Sequence, residues 1–197
     1  TESNNLAILG LAHWGRSHGK THILSSRIEH KAVLEPIEVL AKDGFEVDWV
    51  APEKNGKVEA AKLLQRVRPT TLLVSLMHAN NETGVIQPID KVAQGLADHP
   101  AWFHVDAAQT FGKLIEPLRN HRIDLISASG HKIYGPKGVG VLVVRHRKKQ
   151  KVPLQPLVFG GGQEHGLRPG TLPVPLVVGF GLAAELGLQH HVEREKR

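Results

Sequence analysis

Cysteine is absent from the 197 residues, and methionine and tyrosine occur once each. With no thiol, this stretch forms no disulfide and supplies neither a nucleophilic sulfur nor a thiolate ligand for zinc. Long apolar runs are missing as well, and none approaches the roughly 18 to 20 residues a membrane helix needs. The opening Thr1-Glu2-Ser3-Asn4-Asn5 has neither the basic nor the apolar segment of a signal peptide. It starts on threonine rather than methionine, so the expectation is a chain that begins inside a longer parent. A soluble, non-secreted protein is expected, in the cytoplasm or, in a eukaryote, in an organelle.

What is present is ordinary for a chain that buries a core: 41% hydrophobic and 22% charged residues, enough for one domain or one domain plus a fragment. The formal charge is +6, with Arg145, Arg147, Lys148, Lys149 and Lys151 in one run. No aromatic residue interleaves that run, as a stacking surface for single strands requires. It reads as a solvated turn after a strand, not as a nucleic-acid or membrane patch. Histidine is plentiful at 13, yet there is no HExxH, and the pair His190-His191 points to different sides of a helix. No metal site is expected.

Helical and strand-like segments alternate with short turn signals, the pattern of an α/β domain with a mostly parallel sheet. Leu6, Leu9 and Ala12 share a helical register that ends near Gly19, and His22 to Ser25 reads as a strand. Val33, Ile37 and Leu40 mark a helix in which Pro36 is tolerable only in the first turn. Phe45, Val47 and Trp49 alternate as a strand, and a helix around Val58 to Val67 leads into the apolar run Leu72 to Leu76. Ile89 to Leu96 is a helix; Trp102 to Val105, Ile123 to Ile126 and Val139 to Val144 are strands; Leu176 to about Leu188 is a last helix.

In open α/β sheets, ligands gather beyond the carboxyl ends of the strands. His30 follows the first strand, Asn80, Asn81 and Glu82 follow the strand ending near Met77, Asp106 and Gln109 follow Val105, and Ser129, His131 and Lys132 follow Ala128. Each has a plainer reading alone. Asn80-Asn81 with Gly84 suits a turn, Asp106 and His30 suit helix caps, and Lys132 suits a loop cation. Together they line one crevice.

The segments Thr1-Glu-Ser-Asn-Asn-Leu6, Ile28-Glu-His-Lys-Ala-Val33, Met77-His-Ala-Asn-Asn-Glu-Thr-Gly84, His104-Val-Asp-Ala-Ala-Gln109, Ser129-Gly-His-Lys-Ile-Tyr-Gly-Pro-Lys-Gly138 and Gly160-Gly-Gly-Gln-Glu164 with Arg168-Pro-Gly-Thr171 stand in a familiar order. With them the chain resembles the class V aminotransferase group of fold-type I enzymes that use pyridoxal 5′-phosphate (PLP), and most closely the cysteine desulfurases and selenocysteine lyases. The likeness runs from Thr1 to about Gly181. It implies a three-layer α/β/α large domain, incomplete here, with residues 1–197 as its PLP-binding part.

The resemblance also implies roles. Lys132 is similar to the lysine that bonds covalently to PLP and later shuttles protons at the substrate Cα. Asp106 is similar to the carboxylate facing the pyridine nitrogen, and His30 to the histidine that stacks on the ring and takes part in proton transfer. Gln109 and Asn81 resemble residues beside the phenolic oxygen. Thr1, Ser129 and His131 resemble phosphate ligands. Thr171 resembles the threonine that reaches the phosphate of a neighbouring subunit, which implies a homodimer. The implied reaction removes sulfur from L-cysteine, leaving L-alanine, and passes it to an acceptor or scaffold protein for iron–sulfur clusters or thiolated cofactors. L-selenocysteine as substrate is the alternative, and a catalytically dead PLP-binding scaffold is another; nucleic-acid binding ranks behind all three. Two parts of the family pattern are missing: the Ser-Gly-Ala stretch before the threonine, and the smaller C-terminal portion with its sulfur-accepting cysteine and carboxylate-binding arginine. The chain alone is expected not to turn over.

Overall fold

The computed structural model describes residues 1–147 and 150–195. Strands β1 (His22–Ser26), β2 (Glu46–Val50), β3 (Thr71–Ser75), β4 (Trp102–Asp106), β5 (Leu125–Ser129) and β6 (Gly140–Val144) form one sheet in the order β2-β1-β3-β4-β5-β6. Every pairing is parallel except that of β5 with β6, which returns antiparallel at the edge. Every residue of β1, β3 and β4 is buried. Strands covered on both faces need continuous apolar runs, which is why Leu72-Leu73-Val74 and Trp102-Phe103 read so clearly.

The helices are α1 (Glu2–Leu9), α2 (Ala12–Ser17), α3 (Lys31–Lys42), α4 (Ala60–Leu64), α5 (Ile89–Gly95) and α6 (Val174–Glu195). On one face, α1, α2 and α3 pack Ile8, Ala12, Val33 and Ile37 against Ile23, Leu73, Trp102 and Leu125 of the sheet. On the other, α4 and α5 pack Leu63, Val92 and Ala93 against Leu24, Val74, Phe103 and Ile126. Fully burying each such large side chain is worth about 1.5–3 kcal/mol. The layers are those of an α/β/α sandwich. The strands that carry candidate residues, β1, β3, β4 and β5, are consecutive neighbours in the sheet.

The structure departs from the sequence reading at several places. The opening helix is two helices: a Cβ on Gly10 would sit 2.4 Å from the Leu6 carbonyl oxygen and 3.0 Å from that of Gln155, so the chain turns where the backbone comes closest. Pro36 lies past the first turn of α3, where it removes the N–H that Ala32 O would accept. The freed carbonyl instead faces the side-chain amide of Asn5 on α1 at 3.4 Å. α4 is shorter than Val58 to Val67, because Val58 is tied by its N–H to Gln87 Oε1 at 2.8 Å before the helix begins. Ile123 belongs to a turn, its N–H bonded to Asn120 O, and β5 starts at Leu125. α6 extends to Glu195, anchored by Phe180 and Ala183 against Ala128 and Ile133.

The arginines of the basic run are half-buried and bonded to the fold rather than free in solvent. Arg145 donates to the carbonyls of Leu118 and Asn120, at 2.6 and 2.7 Å. Arg147 and Arg122 converge on buried Asp124 from 2.6 and 2.8 Å, at the amino-terminal end of the sheet. Lys148 and Lys149 lie outside the described residues.

Candidate functional site

Toward the α1–α3 side, each central strand changes character along its length. Ile23, Leu73 and Trp102 form an apolar row, and one alternation further on come Ser25, Ser75 and His104 in mutual register. The next residue of this face on β4 is Asp106, level with Ser127, and Ser129 ends β5 two residues beyond. Along this face the strands therefore become polar again toward their carboxyl ends. His104 is wholly buried with a ring nitrogen 2.9 Å from each of Ser75 Oγ and Ser127 Oγ. Burial pushes its pKa down to about 4, against the pull of the Asp106 charge, so the ring is neutral at pH 7.

Asp106 is 5% exposed, and both of its oxygens are held. Oδ1 accepts the Ala108 N–H at 2.9 Å, as a cap does, although a turn and not a helix follows. Oδ2 accepts from Asn4 Nδ2 at 2.8 Å. That bond brings the first turn of α1 to the end of β4. Thr1 is the N-cap of α1, without a side-chain cap bond, and the first N–H groups of the helix belong to the turn that Asn4 ties to Asp106. The positive end of the helix suits an anion.

The segment after β5 is a tight 3-10 turn over Gly130–Ile133, ended by Tyr134 in the left-handed region at φ 67°. Gly130 is required there, since a Cβ would meet Pro136 O at 2.9 Å and Val139 Cγ1 at 3.0 Å. Ser129 Oγ pairs with His131 Nδ1 at 3.0 Å. Lys132 is half-buried, and among the described residues no hydrogen bond or ion pair engages its ammonium.

The loops after β1 and β3 are joined. Asn80 Nδ2 donates to Ile28 O at 2.9 Å, and the Met77 N–H donates to Glu29 Oε1 at 2.9 Å. His30 caps α3, its Nδ1 accepting the Ala32 N–H at 3.1 Å, which leaves Nε2 as the protonated nitrogen when the ring is neutral. The Asn80 carboxamide accepts from Glu82 N, Thr83 N and Thr83 Oγ1, so Asn80 builds the turn and leaves neighbouring Asn81 exposed on it. His78 is fully buried, neither ring nitrogen has a partner among the described residues, and burial lowers its pKa to about 4.

Thr1, Asp106, Ser129, His131 and Lys132 thus gather around the ends of β4 and β5, with His30 and Asn81 on the adjoining loops. Gln109 is half-buried in the turn three residues past Asp106. Thr171 is exposed after Gly170 at φ 115°; its segment is drawn to α1 by an Arg168–Glu2 ion pair of 2.7 Å, and among the described residues it bonds to none of the other candidates. Three site-side groups escaped the sequence reading: Asn4, Glu29 and His104. A histidine amid an apolar strand and an asparagine inside a helix are both unfavourable unless used, and that was the available signal. A helix N-terminus with hydroxyls beside it, one unpaired amine and one oriented carboxylate suit an anionic ligand that also carries a carbonyl and a basic ring nitrogen.

Comparison with known proteins bears on that chemistry. Cysteine desulfurase IscS of Shewanella oneidensis is 48% identical over 186 residues, 94% of this chain and 45% of that protein. Among solved structures, DndA from Streptomyces lividans superposes with a TM-score of 0.95 at 55% identity, covering 98% of this chain and 54% of its own. SspA, solved in complex with cysteine, gives a TM-score of 0.84 at 46% identity, covering 93% and 52%. The chain therefore spans about half the length of the relatives it matches. The aminotransferase class-V family model aligns with residues 1–196, and on that match, which takes in every strand of the sheet and every candidate residue at its carboxyl end, the chain belongs to the aminotransferase class-V family.

Proposed function

We propose that residues 1–197 are the cofactor-binding large domain of a PLP-dependent cysteine desulfurase. One observation carries this reading: four neighbouring strand ends bring an unpaired amine, a doubly bonded carboxylate and a hydroxyl-lined helix N-terminus to one crevice, in a chain whose relatives are cysteine desulfurases. The donor set fits PLP. Thr1, Ser129, His131 and the first turn of α1 would hold the phosphate. Asp106 would face the pyridine nitrogen, kept oriented by Asn4 and the Ala108 N–H. His30 would cover the ring, and Gln109 and Asn81 would lie beside the phenolic oxygen. When bound, PLP supplies an electron sink for negative charge at the substrate Cα. Lys132 would provide the covalent attachment and then move the Cα proton, as an amine free of ion pairs is suited to do.

The substrate is L-cysteine, the product L-alanine, and the sulfur leaves to a thiol of the parent protein or of an acceptor or scaffold protein, since this chain has no cysteine. The parent is a homodimer in which Thr171 serves the partner's phosphate site, and it works in the cytoplasm. The test is borohydride reduction of the PLP-loaded protein followed by peptide mapping. The adduct is expected on Lys132; an adduct on Lys113 or Lys137, or none, overturns the assignment.

A further inference from the structure

Glu29 is 5% exposed, an uncommon place for a carboxyl group that has no cationic partner among the described residues. Oε1 accepts from Ser26 Oγ at 2.6 Å and from the Met77 N–H at 2.9 Å, while Oε2 is buried without a partner among the described residues. The residue before it, Ile28, accepts from Asn80 Nδ2 at 2.9 Å. Two consecutive residues of the loop after β1 are thus bonded to the two ends of the short segment 77–80 after β3. His30 follows the first pair directly, and Asn81 follows the second.

We propose that Glu29 is a positioning residue: its buried carboxyl group, with the Asn80 amide, clips the loop presenting His30 to the loop presenting Asn81, so that the two side chains hold one relative position. The importance of that position rests on the reading of His30 and Asn81 as site residues; the clip itself does not. Burial raises the Glu29 pKa to about 8, and Asp106, the charged neighbour acting on it, pushes the same way against the Ser26 and Met77 bonds. At neutral pH the clip is therefore a neutral acid, and glutamine reproduces its accepting oxygen. Above about pH 8 an anion with one unsolvated oxygen takes its place, and the loop is driven to open toward water.

Two amides report on this without any cofactor: Met77 N–H, bonded to Glu29, and Ala32 N–H, bonded to His30 Nδ1. Hydrogen exchange measured by NMR on the protein, corrected for intrinsic base catalysis, is the assay. Glu29→Ala is expected to speed exchange at both amides about tenfold, the scale of one lost hydrogen bond in a local opening. Glu29→Gln is expected to leave both within about twofold of wild type and to abolish the further rise the wild type shows across pH 8. Faster exchange at Met77 with Ala32 unchanged would reduce Glu29 to a local stitch and overturn the proposal. So would a glutamine variant that behaves like alanine. Should Glu29→Ala fail to fold, Asn80→Ala severs the other half of the clip, and an unchanged Ala32 rate there is equally fatal. Because neither amide depends on PLP, failure of Lys132 to take the cofactor would refute the function and leave this result standing.

Discussion

Replacing Asn4 with alanine sets two terms of similar size against each other. The lost bond is the 2.8 Å contact from Asn4 Nδ2 to Asp106 Oδ2, a hydrogen bond to a buried carboxylate, worth about 1.5–3 kcal/mol. Against it stands Asn4 Oδ1, buried with no partner among the described residues, whose removal relieves a penalty of about 1–3 kcal/mol. The two nearly cancel. Urea denaturation of Asn4→Ala should show a stability change under about 2 kcal/mol. Function should not be spared, because Asp106 keeps only the Ala108 N–H and can rotate about that single bond. In the full-length parent, turnover should fall by at least about tenfold, the cost of loosening one preorganised electrostatic partner. A stability loss above about 3 kcal/mol would mean that Oδ1 is in fact satisfied. Unchanged turnover would mean that Asn4 does not orient Asp106.

At the other end of the sheet, Asp124→Ala leaves Arg122 and Arg147 largely buried without their common anion and deprives the Phe103 N–H of its 2.7 Å acceptor, so urea denaturation should show a loss of about 3–5 kcal/mol. The pH dependence of stability follows from groups of opposite sign. His78 and His104, lowered to about 4 by burial, bind fewer protons folded than unfolded, so stability rises from pH 4 to 6.5. Glu29, raised to about 8 from 4.5, binds more protons folded, so its contribution falls over that interval by up to about 1.4 kcal/mol per pH unit. Thermal scans should give a maximum near pH 6.5 and a falling limb to about 8 that Glu29→Gln removes; a limb that survives the substitution belongs to another group. For the parent, mixing Lys132→Ala with Thr171→Ala subunits should restore activity, since one site of the mixed dimer carries both defects and the other neither. Mixing that restores nothing in proven heterodimers would show that Thr171 does not act across subunits.

The parts of the fold that were legible in the sequence are those set by short-range pattern. β3 and β4 announce themselves because a strand covered on both faces has to be apolar at every step, and the polar residues just beyond such runs then fall at the carboxyl edge by geometry alone. Lys132, Asp106 and His30 were singled out as candidates in that way, alongside the resemblance in the order of segments. Long-range partners were not legible. Asn4 meets Asp106 across 102 residues and Glu29 meets Met77 across 48, and no periodicity encodes those pairs. Pro36 shows the same limit from the other side. Local rules place it in the first turn of a helix, whereas the fold tolerates it deeper because Asn5, from another helix, faces the carbonyl it orphans.

The two ends of the sheet separate structural from functional polarity. Asp124, at the amino end, is 1% exposed yet accepts from Phe103 N, Arg122 and, through both oxygens, Arg147. A buried charge so completely partnered has no capacity left for a ligand, and its role is to hold β4, β5 and the segment after β6 together. The carboxyl end is built differently. Of the six buried side-chain atoms without a partner among the described residues, four lie there: Asn4 Oδ1, Glu29 Oε2 and both ring nitrogens of His78. The remaining two, His22 Nε2 and Trp102 Nε1, lie at the amino end, and the first of them is 3.3 Å from Asp48. Folding leaves buried polar atoms unsatisfied at a cost of about 1–3 kcal/mol each, so a concentration of them marks a place where stability has been given up. That the concentration surrounds Asp106 and the loop of His30, and not the better-charged cluster at Asp124, is the physical reason to look for chemistry at one end of this sheet and for cohesion at the other.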